Sequence, residues 1–280
     1  MKRILLFIFP QLISAQVQYN YPNIEWRTFE TKNFRIHYYA ETETSARKGA
    51  YIAERIYAPI VRMYQYSPVD KTDIVFKDTD DISNGAAYFY DNKIIIWTSP
   101  LDFELRGSHR WLQNVITHEF AHIVSIQKAQ KFGKNIPGAY LQFIGYEKEK
   151  RPDVLYGYPN VLVSFPIPGT MVPPWLAEGA AQYMYPEADW DNWDSHRDMI
   201  LRDRIFNNNS LSWSDINSFG KSGIGNESVY NTGYAFTKYI ASRFGPDVIP
   251  DIFKHMSKPM SFSVSNAINN VVGIKGEKLY

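Results

Sequence analysis

The sequence predicts an α+β fold: a strand-rich N-terminal half with a mixed sheet and helices, a mainly helical C-terminal half, and an active site between them. Three observations carry this. Residues 26–97 are short β-branched and aromatic runs interrupted by one helix-spaced stretch. Residues 111–130 read as a single apolar helix that carries two histidines and a glutamate. Beyond residue 172 most apolar residues recur at helical spacing.

The elements follow in order. Lys2 and Arg3 precede the apolar run Ile4 to Phe9, and Pro10, Leu12, Ile13, Ser14 and Ala15 lead to Gln16. This is the pattern of an export signal over residues 1–15, and its apolar run is too short to span a bilayer. Ile13 stands where a small residue is usual. The folded part is then 16–280, exported to the periplasm, the cell surface or the medium. Trp26 to Phe29 and Asn33 to Tyr39 suit two short strands, with His37 facing solvent or a pocket edge. Ala46, Ala50, Ala53, Tyr57, Ile60 and Tyr64 mark a core-packing helix, expected to bend at Pro59. Thr72 to Phe76 is a third strand, and Asn84 to Trp97 a hairpin turning at Asp91-Asn92.

The chain is organised around His118-Glu119-Phe120-Ala121-His122. Four residues advance a helix by slightly more than one turn, so both imidazoles project from one face and can grip one ion. Glu119, roughly 100° round the helix, can reach a water on that ion, the general-base position of the H-E-x-x-H motif. A chain of this length meets the pattern by accident about 1 time in 100. The flanks argue against accident: Trp111, Val115 and Ile126 share the histidine face and Leu112, Ile116, Phe120, Ile123 and Val124 cover much of the rest. Such a helix is buried, and buried polar groups need partners. A catalytic zinc site needs a third protein ligand. Positions 125 and 128 are Ser and Lys, so the motif does not continue as H-x-x-G-x-x-H. The better candidate is Glu178, early in a helix opened by Pro173-Pro174 and set in Trp175-Leu176-Ala177-Glu178-Gly179.

H-E-F-A-H followed by a separate helix bearing W-L-A-E-G resembles the gluzincin metallopeptidases of the aminopeptidase N and leukotriene A4 hydrolase type, within the peptidase MA-like group. The resemblance implies a zincin-like fold with the zinc helix closing a strand-rich part, 16–130, and the glutamate ligand in a helical part, 131–280. It implies Zn2+ held by His118, His122 and Glu178, with Glu119 as catalytic base. In that family the edge strand beside the zinc helix binds substrate, which here puts Asn84, Gly85, Ala86 and Ala87 against an extended peptide. The family's aminopeptidases carry G-x-M-E-N there, whose glutamate holds a free amine. Asn84 to Tyr88 has no glutamate, which favours an endopeptidase. The family's Y-x-x-G tyrosine, which binds the oxyanion, matches Tyr230 ahead of Gly233. Gln182, one turn after Glu178, is a candidate partner behind a ligand histidine. The resemblance also implies that a C-terminal β-propeller domain can follow beyond this chain, as it often does in secreted bacterial proteins of this kind.

Elsewhere the readings are plainer. Phe132-Gly133 suits a helix C-terminus. Residues 137–172 form a long connection with one short helix expected around Ala139 to Tyr146, and Glu147 to Arg151 is a mixed-sign solvated stretch. His196 opens a polar helical segment ending near Phe206, and His255 is expected on a helix surface. Tyr230, Gly233, Tyr234, Thr237, Ala241 and Phe244 share a helical face that closes at Gly245-Pro246. A polar helix starts near Gly276. Net charge +1 gives no electrostatic case for nucleic acid, no later stretch is long enough for a membrane span, and zero cysteines exclude disulfides and thiolate metal sites. The expected function is zinc-dependent hydrolysis of peptide or protein substrates. The alternatives are an aminopeptidase, or a non-catalytic glycan- or peptide-binding protein that uses the chain's 17 Phe, 20 Tyr and 7 Trp.

Overall fold

Strand formation in the first half follows the expected alternation. Phe34, Ile36 and Tyr38 are buried while Arg35 and His37 point outward, and Thr72, Ile74 and Phe76 repeat the pattern in the next strand. The computed structural model describes residues 21, 23–79, 82–100, 110–131, 140–145, 161–166, 171–184, 195–217, 219 and 223–280. Strands β1 (Arg27–Glu30), β2 (Phe34–Tyr38), β3 (Thr72–Lys77), β4 (Gly85–Tyr88) and β5 (Lys93–Trp97) form one mixed sheet in the order β1-β2-β3-β5-β4. The β2–β3 and β3–β5 pairs are parallel, and the two outer pairs are antiparallel. The chain crosses from β2 to β3 through helix α1 (Glu43–Tyr64), which runs on past Pro59 and ends at Gln65 in the left-handed region. On the outward face Asp73 receives Arg35 through both carboxylate oxygens, at 2.7 and 2.8 Å, and meets His37 Nε2 at 2.8 Å.

The hairpin has a four-residue loop, 89–92, because Tyr88 lies opposite Lys93. Asn92 takes the loop's positive φ of 49°, a conformation asparagine tolerates. Helix α2 (Trp111–Lys128) packs on the sheet face that α1 also covers, and both its ends are tied down. Trp111 Nε1 donates to the Trp97 carbonyl at 2.7 Å, Gln127 Nε2 to the Phe89 carbonyl at 2.8 Å, and Lys128 Nζ to the Tyr64 carbonyl at 2.5 Å. The edge strand β4 is thereby held along the helix that carries the histidines.

The second half holds α3 (Pro174–Tyr183), α4 (Ser195–Phe206), α5 (Gly223–Phe244), α6 (Val248–Met256), α7 (Val264–Val272) and α8 (Gly276–Leu279). Here one expectation is corrected. Tyr140–Gly145 is a strand, β6, paired antiparallel with β7 (Val161–Pro166), where a short helix was expected. The run Tyr140-Leu141-Gln142-Phe143-Ile144 is too short for periodicity to decide, and the partner strand settles its form. The buried cluster is continuous across both halves, from Phe34, Ile74 and Ile94 through Phe120 and Trp175 to Phe253 and Ile268. The export signal, Gly133, the 147–151 stretch and the structure on either side of β6 and β7 lie outside the described residues. No helix among the described residues is long and apolar enough to cross a membrane.

Candidate metal centre

Residues His118 and His122 lie one above the other on α2, and α3 brings Glu178 across to meet them. Pro173 supplies the extended N-cap of α3 and its carbonyl accepts from Leu176 and Ala177, while Pro174 takes the first helical position, where a missing N–H costs nothing. Glu178 therefore sits one turn inside, flanked by the buried Ala177 and Gly179. His118 Nε2 lies 2.9 Å from Glu178 Oε2, His122 Nε2 lies 3.2 Å from the same oxygen, and the two nitrogens are 3.0 Å apart. The rings stand perpendicular, at 89°.

That triangle tests whether a metal fits. Two imidazole nitrogens and a carboxylate oxygen lie within 3.2 Å of one another, three donor atoms whose lone pairs one metal ion can accept together. A point about 2.1 Å from all three atoms, the distance zinc keeps from nitrogen and oxygen, lies about 1 Å out of their plane. The three residues can therefore hold a metal ion, and they form the single such group among the described residues. Burial alone would raise the Glu178 carboxyl, but His122 and His118 outweigh it and hold the group well below the usual carboxylate range. Burial likewise opposes charge on His122, yet Glu178, with help from Glu119, raises its imidazole above the ordinary value.

Glu119 is 7% exposed and sits against the edge strand. A Cβ built on Gly85 would lie 2.8 Å from Glu119 Oε1 and 2.4 Å from Val115 Cγ2, so glycine is what lets β4 come this close. Gly85 therefore lies directly against Glu119. Asn84, Ala86 and Ala87 are its neighbours on the edge of the sheet, and no described strand pairs with the other side of β4. The Trp97 N–H donates to the Asn84 carbonyl at 3.0 Å, which fixes the ladder. Bonded and non-bonded pairs alternate, so Ala86 and Tyr88 bond to β5 while Gly85 and Ala87 turn their N–H and C=O groups to the free edge.

The Tyr230 ring lies nearly parallel to the His118 imidazole, with centroids 6.1 Å apart at 23°, and the Phe219 ring lies 6.0 Å from it at 35°. Tyr230 is well inside α5, not at its start as in the motif it resembles. Gln182 is 1% exposed, one turn beyond Glu178 on α3, and His122 Nδ1 is buried with no hydrogen-bond partner among the described residues. His196 lies in the first turn of α4, and His255 is a half-buried residue of α6 whose imidazole is lowered by burial and by Lys258 and Lys131.

One feature was not foreseen. A Cβ on Gly179 would stand 2.2 Å from the Gly233 carbonyl oxygen, and one on Gly233 would stand 2.2 Å from that of Trp175. Helices α3 and α5 thus touch backbone to backbone, beside Glu178 and one turn from Tyr230. The signal in the sequence was the pair of glycines that follow these two residues. No protein-family model matches the chain, and no curated protein matches it either.

Proposed function

We propose that this chain is an exported, zinc-dependent metallopeptidase of gluzincin type that cuts within peptide chains. The observation that carries the reading is the meeting of His118, His122 and Glu178 at one point, with Glu119 beside them and the edge of β4 against Glu119. His118, His122 and Glu178 would hold Zn2+, which supplies Lewis acidity, lowering the pKa of a water and drawing charge from a carbonyl. Glu119 accepts the proton of the attacking water and returns it to the leaving amine. The Tyr230 phenol donates to the oxygen on which negative charge develops. Gly85 and Ala87 hold the substrate main chain by strand addition, with Asn84 and Ala86 completing the edge. Gln182, one turn after Glu178, steadies a ligand histidine.

The carboxylate that aminopeptidases of the resembled family place on this strand has no counterpart between Asn84 and Tyr88, which supports internal cleavage. A non-catalytic binding role leaves unexplained why an acid is buried next to the three ligands. The test is Glu119→Gln. It is expected to bind zinc like the wild type while peptide hydrolysis falls by about 10² to 10⁴, the scale of a lost general base. A variant that cleaves as fast as the wild type removes Glu119 from the reaction.

A further inference from the structure

The edge strand carries a second message, which rests on the peptidase reading above. Gly85 fixes the phase of β4, because the direction of its absent Cβ leads to Val115 and Glu119. Side chains alternate along a strand. Ala87 therefore follows Gly85 onto the helix-facing side, where it packs against the core, and Ala86 and Tyr88 turn to the opposite face. On that face Lys93, the cross-strand neighbour of Tyr88, holds its ammonium 5.3 Å from the centre of the Tyr88 ring and pairs with Asp91. Tyr90, 36% exposed, meets Tyr88 edge to face at 6.1 Å. The two rings make an aromatic lip beside a sheet edge that no described strand pairs with, on the side away from the metal ligands.

A chain added antiparallel to β4 bonds through its main chain to Gly85 and Ala87. Counting from the residue opposite Gly85, the one beside Ala87 lies two positions towards the substrate's N-terminus, and the one beside Tyr88 lies three. That third residue points to the outer face, as Tyr88 does, and directly opposed side chains on one face are the pairs that interact. Because Gly85 abuts Glu119, the residue opposite Gly85 flanks the bond to be cut. We propose that Tyr88, backed by Tyr90, is a side-chain subsite that selects an aromatic or bulky aliphatic residue three or four positions before the scissile bond.

The experiment is a mass-spectrometric digest of a peptide library by the zinc-loaded full chain, comparing wild type with Tyr88→Ala, Tyr88→Thr and Tyr88→Phe. Threonine keeps the strand's β propensity, so a folding defect in the alanine variant does not remove the test; melting curves identify it. The expected result is enrichment of Phe, Tyr, Trp, Leu or Ile at that position by about two- to five-fold, the worth of a cross-strand aromatic pair. The enrichment flattens in the alanine and threonine variants and survives in the phenylalanine variant. On a matched pair of peptides, Phe against Ala at that position, the discrimination sits in KM more than in kcat. A flat wild-type profile, enrichment on the other side of the cut, or a profile unchanged by Tyr88→Ala and Tyr88→Thr overturns the proposal. A zinc-loaded wild type that leaves the whole library intact refutes the peptidase reading itself, and this inference with it.

Discussion

Replacing Gly233 by alanine tests how the site is assembled, independently of any reaction. The added methyl would lie 2.2 Å from the Trp175 carbonyl oxygen and 3.0 Å from its carbon, both backbone atoms of α3. Normal carbon–oxygen contact needs about 3.5 Å, so the helices must separate by about 1 Å. Rearranging fully packed helices costs about 1 to 3 kcal/mol, and for a chain of this size that lowers the melting temperature by roughly 2 to 10 °C. The displaced helix is the one bearing Glu178, whose oxygen now sits 2.9 and 3.2 Å from the two histidine nitrogens. Zinc affinity is therefore expected to fall by about ten- to a hundredfold, as when a residue that orients a ligand is lost. Competition with a chromophoric chelator measures the affinity, and melting with and without zinc measures the stability. A Gly233→Ala protein that melts and binds zinc like the wild type would show that the crossing does not set the ligand's position. One that melts lower yet binds zinc unchanged would limit Gly233 to packing.

Two further outcomes follow from the same geometry. Tyr230→Phe keeps the ring beside His118 and removes the donor, so zinc affinity should be unchanged while kcat falls by about 10² to 10³ with little effect on KM. An unchanged kcat removes Tyr230 from the reaction. Metal loading should also depend on pH in a definite direction. In the metal-free protein the raised His122 contributes stability that is complete below the ordinary imidazole pKa and lost as pH rises through its raised value. The lowered Glu178 contributes stability present above the ordinary carboxylate pKa and lost only in stronger acid. The metal-free pair is therefore most secure at mildly acidic pH, where zinc must displace a proton from His122. The gain in melting temperature on adding zinc should grow from pH 5.5 to pH 8, and calorimetry in buffers of different ionisation enthalpy should record proton release. A gain that shrinks with rising pH contradicts the assignment.

What was legible in the sequence was local chemistry. The i, i+4 spacing of His118 and His122 needs no tertiary knowledge, and Glu178 was readable because a carboxylate between Ala177 and Gly179 is costly to bury without a partner. The first five strands were readable from aromatic and β-branched content and from the turn residues Asp91-Asn92, down to the hairpin whose edge meets Glu119. The β6 strand was not, because Tyr140–Gly145 takes its form from Val161–Pro166, and pairing across the intervening residues leaves no periodic mark on either segment. The helix crossing was not readable for the same reason. Gly85, Gly179 and Gly233 look alike in the sequence, three glycines each following a polar residue, yet each is the point where a side chain would strike something from a distant segment: the Glu119 carboxylate, the Gly233 carbonyl, the Trp175 carbonyl. A sequence can show that a glycine is present but not what approaches it. At this site those approaches determine how α2, α3, α5 and β4 sit around one point. The chemistry was visible as separate donors, and the fold supplies the three close contacts that bring them together.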